Sequence, residues 1–292
     1  MASFSAQMDY SRKPKAVASR STRLNVFPSN GSTFKQGQTC TIQMPQLARS
    51  FYNLNDGYLK MKITPTQAAA FQQSAYSCIE SFKSSTNNGM LDTLEGFGPY
   101  MSVLLDAQLS PSAAAGVGEI MLAMGGDATR PNLGKNLGAG SGYVACLPLV
   151  HGLFGVNKSF PADTSSPLRF DIKFAEAPAA FIRNAHGTDI VEYVVSDVEL
   201  IVPVTELSPD AAVILEQSFP DYSITYDGLS HTTSTKAAAA TKSVDNLGCR
   251  YSSVNRILMA MRQQPQVGVA GSLGTVNRTT GKITEIGYRI NG

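Results

Sequence analysis

The side chains that could do chemistry are few and widely separated. His151, His186 and His231 stand 35 and 45 residues apart, with no Cys or carboxylate at ligand spacing beside any of them. Zinc and related sites need three or four donors that the local chain brings together, so each histidine reads as a surface or satisfied core residue. Cys40, Cys78, Cys146 and Cys249 show no paired spacing and read as reduced, mostly buried thiols, not as a disulfide framework. No GxSxG elbow is present, and Gly134-Lys135 lacks the upstream Gly and following Ser or Thr of a phosphate loop. Asp92 and Glu95 are close enough in sequence for acid–base work, though solvated charges at a strand end account for them more simply. No catalytic, metal-binding or cofactor-binding constellation emerges, and the expectation is a protein that is not an enzyme and takes no cofactor.

What remains is contact chemistry. Residues 1–23 carry Arg12, Lys13, Lys15, Arg20 and Arg23 against Asp9, a net +4 in a chain whose formal charge is +2, which leaves the rest at −2. Such a basic arm can touch nucleic acid, an acidic membrane or a neighbouring subunit; a solvated tail is the plain alternative. Phe34, Phe51, Tyr52 and Tyr58 interleave with Lys35, Arg49 and Lys60, a weak form of the aromatic-plus-basic pattern of single-strand binding. Met90, Met101, Met121, Met124, Met259 and Met261 suit either an adaptable contact surface or ordinary core filling.

The elements that position these residues are strands. Leu59, Met61 and Ile63 alternate with Lys60 and Lys62, and Leu168, Phe170, Ile172 and Phe174 with Arg169, Asp171 and Lys173, as half-buried strands do. Further strands are expected at 24–27, 39–44, 76–83, 91–95 and 143–150, the last at an edge because of Pro148. Asn87-Asn-Gly89 marks a hairpin, 100–109 fits strand or helix, and 113–142, rich in Gly and Ala, reads as a long surface loop with one short helix at most. Val191 to Val204 is the organising strand: Val191, Tyr193, Val195 and Asp197 alternate with Glu192, Val194, Ser196 and Val198, and the apolar run Val198–Val204 follows. Ser208-Pro209-Asp210 then opens a helix striped by Val213, Ile214 and Leu215 and stopped at Phe219-Pro220. Beyond it, strands are expected at 222–235, 254–262 and 283–290. The chain is therefore all-β, a jelly-roll barrel or sandwich, with a basic flexible arm at 1–23, a first jelly-roll domain at 24–205, a helical joint at 206–220 and a partial or abbreviated second domain at 221–292. No stretch approaches the ~18 apolar residues of a membrane span.

These features, in order, resemble the major capsid proteins of double jelly-roll viruses, of the polinton-like and adintovirus-like type. The matching stretches are Phe27-Pro-Ser-Asn-Gly-Ser-Thr-Phe34 with Ile42 to Pro45, Asp56-Gly-Tyr-Leu-Lys-Met-Lys-Ile63, Cys78-Ile-Glu-Ser-Phe82 followed by Leu91-Asp-Thr-Leu-Glu95 and Tyr100. The series continues through the joint Val195–Glu199 to Leu207–Ala211, then Tyr251–Leu258 with Arg262, and Tyr288-Arg-Ile-Asn-Gly292. In that family the second barrel continues past the last of these. The resemblance implies no catalytic residue. It implies a homotrimer of two-barrel subunits tiling an icosahedral shell, partners among penton or minor capsid proteins, and a place in the virion after synthesis in host cytoplasm or nucleus. On this reading the arm (Arg12, Lys13, Lys15, Arg20, Arg23) meets the genome or a neighbour, and the loop carrying Gly125, Gly126, Arg130, Gly138 and Gly142 lies at a capsomer contact or outer tip. The competing readings are a single jelly-roll minor capsid or penton protein and a glycan- or receptor-binding β-sandwich, the latter disfavoured by the absence of Trp.

Overall fold

The computed structural model describes residues 19–125, 134–150, 152–163, 166–176, 180–182, 192–218, 223–232, 254 and 257. Fourteen strands lie among them. They are β1 (Ser19–Val26), β2 (Thr33–Lys35), β3 (Thr39–Gln43), β4 (Ser50–Tyr52), β5 (Tyr58–Pro65), β6 (Ala69–Phe71) and β7 (Ile79–Thr86). The series continues with β8 (Gly89–Glu95), β9 (Asn136–Leu137), β10 (Tyr143–Pro148), β11 (Phe160–Pro161), β12 (Arg169–Phe174), β13 (Phe181–Ile182) and β14 (Tyr193–Leu207).

β14, 15 residues long, is the spine. Along one edge it pairs with β5 and then β4; along the other, with β2 and then β1. β10 extends this sheet beyond β5, and β11 extends it beyond β4. A second sheet runs β3-β12-β7-β8, and a small third one β13-β6-β9. All pairings are antiparallel, and two sheets packed face to face make the jelly-roll sandwich that the strand count led one to expect.

Burial follows the alternation. Leu59, Met61 and Ile63 of β5 and Phe170, Ile172 and Phe174 of β12 are completely buried, in one apolar core with Cys40, Ile42, Phe82, Val195 and Val202. Each such side chain contributes roughly 1.5–3 kcal/mol by leaving water. Phe82 anchors an aromatic knot, with ring centroids 5.9 Å from Phe97, 5.8 Å from Phe154 and 5.8 Å from Phe170.

One irregularity makes β14 work. Asp197 sits at φ +51°, and the register slips there: Ser196 stands opposite Lys62, Glu199 opposite Lys60. That is a β-bulge, one extra residue on one strand. Before it the odd residues Tyr193 and Val195 face the core; after it the even residues Val198, Leu200, Val202 and Val204 do. The strict alternation expected through Asp197 therefore breaks at Asp197, which is exposed.

Other expectations need correction. The arm was expected to reach residue 23, but β1 begins at Ser19, so Arg20 and Arg23 lie in a strand. Its side chains from Ser19 to Arg23 are exposed on both faces, so no apolar alternation betrays it in the sequence. Residues 76–78 form a 3₁₀ turn, Ala75–Cys78, before β7 starts. The 100–109 segment is helical, Phe97–Gln108, with Phe97, Met101, Leu104 and Leu105 making a buried i, i+4, i+7, i+8 stripe. A second helical run occupies 111–122, entered through Ser110, whose hydroxyl accepts from the Ala113 amide at 3.3 Å, and Pro111. In the helix Pro209–Ser218, Ser208 caps as expected, accepting from the Ala211 amide at 3.3 Å. Its anticipated stripe is reversed, however. Ala212 is buried, whereas Val213 and Ile214 are 51% and 63% exposed. The described part of the expected 222–235 strand, residues 223–232, is not a strand. It crosses the first domain, with Ile224, Tyr226 and Leu229 packed on the core. The strands expected at 254–262 and 283–290 lie outside the described residues except at 254 and 257, and so does most of the stretch 221–292 expected to form a second domain.

Candidate interaction surfaces

The groups with catalytic potential do not converge. Asp92 and Glu95 are three residues apart on β8, and an odd spacing puts them on opposite faces of a strand. Glu95 pairs with Lys83 at 3.2 Å. Asp92 is partly buried, and loss of water pushes its carboxyl above the ordinary carboxylate range while a 2.8 Å hydrogen bond from the Thr93 amide pulls it back. The imidazole of His231 lies against Gly96; His151 and His186 lie outside the described residues. Among the described residues no three of His, Cys, Asp and Glu come together as a metal site.

The thiols are positioned as core filler. Burial, helped by the charge of Asp171, pushes the Cys40 thiol up to about 12, and burial drives Cys78 higher still. A thiol is nucleophilic as thiolate, and these two remain protonated. Cys146 is partly buried on β10, opposite Lys60; Cys249 lies outside the described residues. The buried tyrosines are pins that sequence reading did not single out. The Tyr193 hydroxyl donates to the Ala175 carbonyl at 2.5 Å, that of Tyr76 to the Pro148 carbonyl at 2.5 Å, and that of Tyr52 to the Pro45 carbonyl.

The surfaces are more informative. On the outer face of the β14 sheet, Lys60 is paired with Glu199 at 3.3 Å, and the Asn25 amide donates to the same carboxylate at 3.4 Å. The face of β5 that carries Tyr58, Lys60 and Lys62 is thus partly neutralised. Across β14, Arg20 stands opposite Glu206 and Arg23 opposite Pro203. Arg12, Lys13 and Lys15 lie outside the described residues, and Arg20 and Arg23, three residues apart on β1, fall on opposite faces of the strand.

Of the loop residues, Gly125, Gly138 and Gly142 are described and exposed; Gly126 and Arg130 fall outside. The return of this loop is stitched to the sandwich. β9 pairs with β6, and the Gly140 amide donates to the Pro65 carbonyl at 2.9 Å. Gly134 is locked in, because a Cβ there would stand 2.6 Å from the Phe71 Cβ and 2.8 Å from the Ala123 carbonyl oxygen.

The exposed apolar side chains that the sequence did not flag as contacts include a pair on each of two helical runs. Val117 and Ile120, the latter 74% exposed, lie on the 111–122 run; Val213 and Ile214 lie on the helix Pro209–Ser218. Beside that second helix is a cleft of about 340 Å³ lined by the apolar Phe51, Pro161 and Leu215 and the charged Arg49, Asp163 and Glu216.

No protein-family model matches the chain, and no curated protein matches it. Solved structures do. Similar folds occur in the crystal structure of PBCV-1 VP54 fitted into a reconstruction of the virophage Sputnik (10% identity, TM-score 0.50) and in a quasi-atomic model of the PBCV-1 virus capsid (9% identity, TM-score 0.50). Each match covers 70% of this chain and 46% of the other. The Faustovirus major capsid protein aligns at 8% identity and TM-score 0.45, over 72% of this chain and 58% of its own. The chain thus spans about half the length of the first two. At the level of fold the likeness agrees with the jelly roll expected from the sequence: the sandwich described here is similar to the one in the two PBCV-1 structures.

Proposed function

We propose that the protein is a viral structural protein, a major capsid subunit that associates with copies of itself into trimeric capsomers and tiles an icosahedral shell. The observation that supports this best is the match of 70% of the chain to the PBCV-1 capsid fold, through a sandwich whose spine, β14, is paired along nearly its whole length. A fold alone does not specify function. On this reading the protein resides in the virion and its first partner is a second copy. Penton or minor capsid proteins and the genome are further partners, the last reached through Arg12, Lys13 and Lys15. On the same reading the expected second jelly-roll domain, 221–292, begins beyond the segment 223–232, which packs on the core of the first.

Light scattering after size exclusion, with negative-stain images of the same peak, tests the reading. A mass of three subunits or closed particles is expected; a monodisperse monomer overturns it. Truncation separates the two proposed contact regions. Removing 1–18, which leaves β1 whole, is expected to impair packaging or assembly, and deleting the loop around Gly126 and Arg130 is expected to impair oligomer formation. Normal assembly by either variant removes that region from the proposal.

A further inference from the structure

Sheet edges are the places where one chain can add a strand to another, and proteins cover them or blunt them. In this sandwich nearly every edge carries a visible device. β10 has Pro148, which donates no amide hydrogen, and Tyr143, whose hydroxyl bonds the Glu119 and Ile120 carbonyls at 2.7 Å each and holds the 111–122 run beside it. β3 is closed by the turn before it: the Ser29 amide donates to the Thr41 carbonyl at 2.8 Å. The Asn30 side chain donates to the Thr39 carbonyl at 2.7 Å and accepts from the Thr41 amide at 2.9 Å. β8 is bulged at Leu91, and Tyr226 caps that carbonyl. β2 and β11 have only three and two residues.

β1 differs. It is eight residues long, contains no Pro or Gly, and holds an unbroken register with β14 from Ser19 opposite Leu207 to Val26 opposite Leu200. Among the described residues nothing pairs with its other edge. What it does carry is charge of one sign: Arg20 and Arg23, with Ser, Thr, Asn, Leu and Val between and around them and no acid. Two such strands side by side would set arginine near arginine, which is unfavourable. An acidic strand would gain where a second β1 loses.

We propose that the outer edge of β1 is a docking site for an extended, acidic segment of a different protein chain, which adds to the sheet as a further strand. Main-chain hydrogen bonds supply the attachment, and Arg20 and Arg23 choose the occupant. Because the two arginines are three residues apart, they project to opposite faces. The matching segment therefore carries two acidic side chains three residues apart, one for each face. Arg23 is the stronger discriminator, since Glu206 already faces Arg20 across β14 while Pro203 faces Arg23. The site needs only the first domain's sheet and stands whether or not the protein builds a shell.

The test uses the full chain and two labelled peptides of alternating Val and Thr, one with two Glu three residues apart, the other with two Lys at the same places. Fluorescence anisotropy at about 0.15 M salt is expected to show the Glu peptide binding at least ~10-fold more tightly than the Lys peptide. The double variant R20E/R23E, altered only at exposed positions, is expected to keep its melting temperature and reverse the preference. Alternate amides of a strand point to opposite edges, so of Ser21→Pro and Thr22→Pro one is expected to lose peptide binding while remaining folded. Failure of both peptides to bind overturns the proposal, as does a preference that ignores the charge reversal. Self-association that R20E/R23E abolishes would assign the edge to a second copy instead, and displacement of the Glu peptide by oligo-dT would assign it to nucleic acid; either result also overturns it.

Discussion

The hydroxyl of Tyr226 donates a 2.7 Å hydrogen bond to the carbonyl of Leu91, a residue 135 positions earlier in the chain. Leu91 is the extra residue of a bulge in β8, between Met90, opposite Ser85, and Asp92, opposite Ser84. A bulged residue is left out of the ladder, and the tyrosine satisfies the carbonyl that the ladder does not. The segment 223–232 thereby fastens itself to β8, the edge strand of the β3-β12-β7-β8 sheet, with Ile224 and Leu229 packed on the core on either side of the tyrosine.

Replacing Tyr226 with Phe keeps the ring and removes the donor. A lost hydrogen bond of this kind costs about 1 kcal/mol, and the loss should be local. Hydrogen exchange is expected to speed up across 223–232 and at Leu91, with the β14 amides unchanged. Uniform acceleration over the whole domain would show that the segment is part of the core and not a strap.

Asp197 invites a complementary change. Its left-handed backbone suits Gly better than a side chain, so Asp197→Gly should leave thermal stability unchanged or raise it slightly. Asp197→Val puts a β-branched residue where φ is +51° and should cost about 1–3 kcal/mol. Thermal melts of both variants decide the matter: equal losses would mean that the Asp197 side chain, and not the backbone, matters at the bulge.

How far the sequence foretold this fold is clear from β14 and its neighbours. Strands with one dry and one wet face, β5 and β12, were legible because their alternation is what water imposes. Of β1 only the end was legible, as the strand expected at 24–27, because its first five residues are exposed on both faces and hold their strand only through β14. The helix Pro209–Ser218 was found from its cap, but its buried face was misjudged. A short helix resting on Ala212 buries a small residue and leaves Val213 and Ile214 outward, and composition alone cannot distinguish the two. The Asp197 bulge reverses the inward set halfway along β14, and a two-residue period carries no mark of where such a slip falls. Of the surfaces, the basic arm was legible as charge. Its division into a strand bearing Arg20 and Arg23 and a preceding stretch was not.

Gly134 tests whether the Gly-rich region is structural where it touches the sandwich. Gly134→Ala would place a methyl 2.6 Å from the Phe71 Cβ and 2.8 Å from a backbone oxygen, neither of which can swing aside. Overpacking of this kind typically costs about 1–3 kcal/mol. Gly140→Ala has open space around it but sits at φ +68°, so it should cost less, roughly 1 kcal/mol. Chemical denaturation of the pair is expected to rank them in that order, and a milder effect at Gly134 would mean that the 134–137 return can lift away from β6.

Asp92 gives the pH dependence its sign. Burial raises its carboxyl above the ordinary carboxylate range, with the Thr93 amide opposing. A carboxyl whose pKa is higher in the folded than in the unfolded state holds its proton more tightly when folded. Its charged form therefore penalises folding above the raised value, and the penalty vanishes below the ordinary one, near ~3.9. This contribution to stability falls as pH rises through the window between the two. Asp92→Asn removes the charge and keeps an oxygen that can accept from Thr93. The variant is expected to melt higher than the parent at neutral pH, and the difference should close as pH is lowered to about 3. The reverse pattern, a variant less stable at neutral pH and equal in acid, would mean that the ionised carboxylate is held by a partner it needs.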